Sequence, residues 1–250
     1  HSSTFVGSST YAITGNTTFG GAVSGITSLS VSDTTSIAAN ISTSSTQSYT
    51  GAVTLTGTGA MRTLTGSTVA FSSTLVGGSN TLAITGAASF GGAVTGMTAL
   101  SVSLTTTINA NITTSGTQAY TGAVTLGADT ALTTTSNGDV VFASTVNGAK
   151  TLTITTNGTG DVTMSGAVGG TTALTGLTIT TDGFSATSIG LGSSAAFAMT
   201  NSGAGAITAA ITGSGATFTK AGAGTLTLSG TNTYTGATTI DAGTLTVSGS

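Results

Sequence analysis

The chain of 250 residues has no cysteine, no proline, no tryptophan and no glutamate, and only 4% of its residues are charged. Without cysteine there is no disulfide framework and no thiolate metal site. Proline removes a ladder donor and is confined to edges and bulges, so its absence suits strands that pair on both sides. Three cations and a net charge of −3 provide no basic patch to neutralise phosphates, which excludes nucleic-acid binding. No apolar run approaches the roughly 18 residues of a membrane helix. The single histidine, His1, excludes an ordinary Ser-His-Asp arrangement within the fold, and no nucleophile-elbow, phosphate-loop or dinucleotide motif occurs. No signal-like segment follows His1, so an export signal is expected outside these residues or already removed.

What remains is small, hydroxylated and β-prone. Threonine and serine supply about 38% of the chain and glycine 39 residues, yet the mean hydropathy is +0.42. Branching at Cβ suits threonine and valine to a pleated strand, so the expected class is all-β. Segments such as Thr151 to Thr155 (TLTIT), Thr225 to Ser229 (TLTLS) and Thr244 to Ser248 (TLTVS) alternate apolar and hydroxyl residues. Alternation puts the apolar side chains on one face and the hydroxyls on the other. Corners are expected at Gly20-Gly21, Gly77-Gly78, Asn137-Gly138 and Asn157-Gly158, where sharp turns demand positive φ.

The block from Thr10 to Gly57 recurs from Thr81 to Ala128 at a constant offset of 71 residues, about two-thirds identical. Ile13/Ile84, Phe19/Phe90, Tyr49/Tyr120 and Val53/Val124 are its landmarks. A fixed long period is the mark of a solenoid-type array. The reading is one continuous solenoid over 1–250. Residues 1–9 end a preceding repeat, 10–80 and 81–150 are two full units, 151–219 a degenerate one, and 220–250 a distinct strand repeat. A β-sandwich would show larger buried anchors, including a tryptophan. Short strands, a thin core and stackable small residues favour a right-handed parallel β-helix of about ten turns and roughly 50 Å, without capping elements. On this reading one long unit makes about three turns.

Residues Lys220 to Val247 (KAGAGTLTLSGTNTYTGATTIDAGTLTV) resemble the passenger-associated β-strand repeat of bacterial autotransporters. The resemblance rests on GAGTLTLSG, NTYTGAT and DAGTLTV in succession. The long units more loosely resemble modules of large surface adhesins related to filamentous haemagglutinins, through Gln118, Tyr120, Gly122 to Leu126, Asp129 and Asn147 to Ala149. These resemblances imply a right-handed parallel β-helix, export through an outer-membrane pore, an extracellular or cell-surface location, and roles in adhesion, biofilm or surface fibres.

Tyr49, Tyr120 and Tyr234 each open a Tyr-Thr-Gly-Ala segment and are the candidate surface or ligand contacts, either as an exposed sugar-binding strip or as rings covering the core near a corner. Asp33, Asp129, Asp139, Asp161, Asp182 and Asp241 are isolated in sequence, and only stacking of turns could pair two of them for catalysis. Gly158 to Asp161 is a fragment of a calcium-binding nonapeptide, while an aspartate bonding its own backbone at a corner explains it as well. Sequons at Asn16, Asn40, Asn111 and Asn157 would permit glycosylation. The outward threonines raise ice binding as a further reading, although the rows recur at about one per long unit. No catalytic residue, cofactor or metal is expected. The expected function is a non-catalytic surface fibre or adhesin stalk that associates with itself, head to tail or laterally, or continues into a longer array. The alternatives are a module binding a glycan or host surface through its Tyr/Thr faces, and an ice-binding or polysaccharide-degrading solenoid.

Overall fold

The structure is a computed structural model that describes residues 5–6 and 9–249. The expected end of a preceding repeat at residues 1–9 therefore falls largely outside the described residues. Every described strand pairing is parallel, and the strands fall into three columns visited in turn along the chain. In the first column Phe5, Val23, Ile41, Leu64, Ile84, Val102, Tyr120, Phe142, Met164, Ala186, Ile207, Leu228 and Val247 each stand directly over the last. These twelve steps make a β-solenoid of twelve turns. The count is close to the expected ten, and exceeds it because turns such as Val23 to Ile41 and Ile84 to Val102 are short.

The second column runs through Thr10–Ile13, Ser28–Val31 and Thr46–Tyr49 and reaches Ile211–Thr212. The third runs from Thr17–Phe19 through Thr35–Ile37 and Val53–Leu55 to Thr217–Ala221 and Thr238–Ile240. Most strands are only a few residues long. Three long ones, Met61–Phe71, Thr81–Phe90 and Ile189–Asn201, bend from one column into the next without a break. In the first two the bend falls at Gly66 and Gly86. Gly86 has φ +145, and a Cβ there would lie 1.8 Å from the Gly66 carbonyl oxygen, so only glycine lets one bend stack on the other.

Inward residues of all three columns form one continuous core, with aromatic rings piled along the axis. Tyr49, Phe71 and Phe90 stack at 5.4 and 5.8 Å between centroids, and Tyr120 stacks on Phe142 at 5.2 Å. Aromatic residues at the same inward position on successive turns give each of these rings a ring neighbour, worth about 0.5–1.5 kcal/mol beyond its burial.

The long period does not equal three turns. Ile13 pairs with Val31, which leads through Tyr49 to Phe71 after three turns and Phe90 after four. Its repeat equivalent, Ile84, stands instead over Leu64 in the first column. Counting strand steps from Thr10–Ile13 to the first half of Thr81–Phe90 gives eleven, or three and two-thirds turns. Each unit is thus set back by one column. Val23 lies in the first column, Val94 in the third and Val168, the matching residue of the degenerate unit, in the second.

Candidate functional surfaces

Tyr49 and Tyr120 do not reach the surface. Their exposures are 0% and 1%, and each inward ring is locked by a glutamine two residues earlier. The Tyr49 hydroxyl donates to Gln47 Oε1 at 2.9 Å, and the Gln47 amide donates to the Ile41 and Thr65 carbonyls at 3.1 and 2.7 Å. Tyr120 repeats the device with Gln118 at 3.1 Å, and Gln118 donates to the Ile112 and Thr133 carbonyls. Burial pushes both phenols well above the usual tyrosine range. An exposed strip through these two tyrosines is therefore ruled out: the period-2 alternation that makes Gln47 and Val53 inward makes Tyr49 inward too. Tyr234 differs. It is half-buried, meets Phe218 edge-on at 6.3 Å, and its hydroxyl lies 2.6 Å from Thr238 Oγ1. Tyr49 and Tyr120 also occupy different columns, so no line of tyrosines runs along one side.

Stacking does bring aspartates together. Asp139 and Asp161 precede the paired residues Val140 and Val162, and Asp182 follows one turn on at the same corner. Their oxygens are used to stitch turns. Asp139 Oδ1 accepts the Asp161 N–H at 2.9 Å, Asp161 Oδ1 accepts the Gly183 N–H at 2.7 Å, and Asp182 Oδ1 accepts the Ser202 hydroxyl at 2.6 Å. Asp129, Asn40, Asn111 and Asn137 likewise accept backbone N–H groups of Thr151, Thr63, Ala131 and Thr159, at 2.8 to 3.1 Å. The expected bond of a corner aspartate to its own backbone holds for Asp33, whose Oδ1 accepts the Thr34 N–H. Asn157 does the same with the Gly158 N–H, while Asp129, Asp139 and Asp161 reach across to the next turn, because the pleated ladder is interrupted at corners and leaves N–H groups to satisfy. Among the described residues no group of three acidic or histidine side chains is placed to hold a metal.

The four sequon asparagines, Asn16, Asn40, Asn111 and Asn157, are all at least partly exposed. The outward threonines of the third column are more regular than their sequence spacing indicates. Thr133, Thr155, Thr180 and Thr200 stand over one another, and beside them Thr153 and Thr178 lead through Ala198 to Thr219 and Thr239. Turns of unequal length hide this register in the linear sequence.

Lys220 was not singled out by sequence. It points inward between Met199 and Ile240, is fully buried, and its ammonium donates to the Ala221, Gly222 and Ala242 carbonyls at 2.6, 3.0 and 3.4 Å. Burial pulls its pKa below the usual lysine value. The lysine stem replaces methionine in the core, while its head closes the corner between two turns.

Residues 218–247 match the passenger-associated-transport-repeat family. Among the described residues this segment forms the final turn and a half, from Thr217–Ala221 to Thr244–Val247, and contains Lys220 and Tyr234. The repeat continues the ladder beneath it without a change of register: Phe218 stacks on Phe197, and Leu226 pairs with Gly205. The β-solenoid fold and this repeat over residues 218–247 fit an autotransporter passenger repeat. No curated protein and no solved structure matches the chain.

Proposed function

We propose that the chain is a length of rigid stalk in an exported bacterial surface protein, without a catalytic role of its own. The observation that carries this reading is the use made of polar groups. Corner Asp and Asn oxygens, the inward Gln47 and Gln118 amides, the Thr156 hydroxyl and the Lys220 ammonium make hydrogen bonds that tie turns together. Each turn buries little alone, and stacking supplies a continuous core whose stability adds from neighbour to neighbour. Low charge lets such rods approach one another, so self-association, lateral or head to tail, belongs to this reading, as does a location at the cell surface.

Twelve turns at about 4.8 Å give a rod of about 58 Å. Negative-stain images of the isolated chain are expected to show rods of this length, alone or joined, that resist proteases under native conditions. Compact particles, or rapid cleavage within the turns, would overturn the stalk. A second reading rests on the threonine register: a flat, uncharged grid of hydroxyls and methyls suits ordered water at an ice surface. Thermal hysteresis lost in Thr155→Tyr with Thr180→Tyr supports it, and an inactive wild-type chain eliminates it.

A further inference from the structure

Two surface depressions, one in each long unit, are the same site repeated. The first, of about 280 Å³, is lined by Gly25, Ile26, Thr27, Ser42, Thr43 and Ser44. The second, of about 200 Å³, includes Gly96, Met97, Thr113, Thr114 and Ser115 among its walls. Gly25/Gly96, Ile26/Met97, Ser42/Thr113, Thr43/Thr114 and Ser44/Ser115 all differ by 71 in number.

The cause of each depression is a bulge. The ladder shifts register between Val23 and Ile26, and again between Val94 and Met97, at Gly25 and Gly96 with φ of +73 and +65. A bulged residue leaves the ladder and opens the surface, a device common at binding sites. The floor and walls together are more apolar than polar, and Ile26 and Met97 lie almost fully buried against them. Thr43 and Thr114 are pinned to the Ser45 and Gly116 carbonyls. On either side the hydroxyls of Ser42 and Ser44, and of Thr113 and Ser115, make no hydrogen bond within the described residues and face the opening. No charged side chain lines either depression.

We propose that each depression binds one ring of a neutral saccharide. An apolar floor with free hydroxyls at its rim complements a pyranose, which has an apolar C–H face and a ring of hydroxyls. The volumes lie just below the roughly 300–1,000 Å³ of drug-sized pockets and suit one sugar unit. The absence of charge selects neutral sugars over uronic acids or sialic acids. Because the unit spans three and two-thirds turns, the first site lies in the first column and the second in the third. The sites face different sides of the rod, so the chain bridges separate glycan strands and does not lie along one. This site stands whether or not the chain serves as a stalk.

The test is titration of the ¹⁵N-labelled chain with methyl glycosides of glucose, galactose, mannose and N-acetylglucosamine, with methyl glucuronide as the charged comparison. The expected result is that the amides of Gly25, Ser44, Gly96 and Ser115 shift together with one of the neutral sugars, and less with the glucuronide. Ser42→Ala with Ser44→Ala weakens the first site about five- to tenfold and leaves the second unchanged, and Thr113→Val with Ser115→Ala does the reverse. Beads coated with the bound sugar are agglutinated by the wild-type chain, and either double variant agglutinates them less while still adhering. The proposal falls if no neutral sugar moves these amides. It falls equally if neither double variant weakens binding at its own site, or if the amides move on dilution without sugar, which would make the depressions self-association contacts.

Discussion

At the scale of single residues, the buried pairs of tyrosine and glutamine make the interior specific. Tyr49→Phe keeps the stacked ring but strands Gln47 Oε1 in the core, and is expected to cost about 1–2 kcal/mol in chemical denaturation. Alkali exposes the same pairs. Both phenols titrate higher in the folded chain than the value near 10 of an unfolded one, so stability is intact below that pH and is lost as the pH rises above it. Two such groups give a decline of about 2.7 kcal/mol per pH unit, which Tyr49→Phe with Tyr120→Phe removes. Lys220 acts with the opposite sign. Its folded pKa is depressed, so between that value and about 10.5 the unfolded chain holds the extra proton and stability rises with pH. In Lys220→Met that rise is expected to vanish, leaving the tyrosine decline alone in thermal melts across the alkaline range. Alternation in the sequence was enough to place Gln47, Tyr49 and their equivalents inward. It gave no warning of Lys220, because an inward position is normally denied to lysine and only three carbonyls at a stacked corner make it tolerable.

At the scale of elements, corners decide the fold. The three Tyr-Thr-Gly-Ala segments place Gly51, Gly122 and Gly236 where the chain crosses the turn beneath. A Cβ on Gly122 would lie 2.3 Å from the Leu104 carbonyl carbon, so backbone must move. Gly122→Ala is expected to cost about 2–3 kcal/mol by denaturant melting. Gly59→Ala, with φ +71 but nothing within 4 Å, costs only the backbone strain of about 1–2 kcal/mol. Asn111→Ala removes the acceptor for the Ala131 N–H and is expected to cost about 1 kcal/mol, with faster hydrogen exchange at Ala131. Strand periodicity and corner residues such as Gly78, Asn137 and Gly158, all at positive φ, were legible in the sequence because both are local preferences. The depressions at Gly25 and Gly96 were not, since a bulge shows only once the neighbouring turn is in register.

At the scale of the whole molecule, the sequence revealed the period but not its relation to the turn. All three columns use the same inward and outward alternation, so no residue carries a label for its column. Turns of unequal length, such as Val23 to Ile41 and the longer Ile41 to Leu64, then let one unit be divided in more than one way. Interchangeable columns are what allow one unit to fold at three azimuths: the Tyr49 device in the second column reappears around Tyr120 in the first. An array of identical units copied from residues 10–80 therefore advances about 18 Å per unit while turning through two-thirds of a revolution. The same surface returns to the same side only after three units, which is eleven turns or about 53 Å. Helical reconstruction of such an array is expected to show that repeat. An axial repeat of about 14 Å, the length of three whole turns, would mean that every unit faces the same way. The saccharide sites would then form one strip, and bridging between glycan strands would be lost even if each site still bound its sugar.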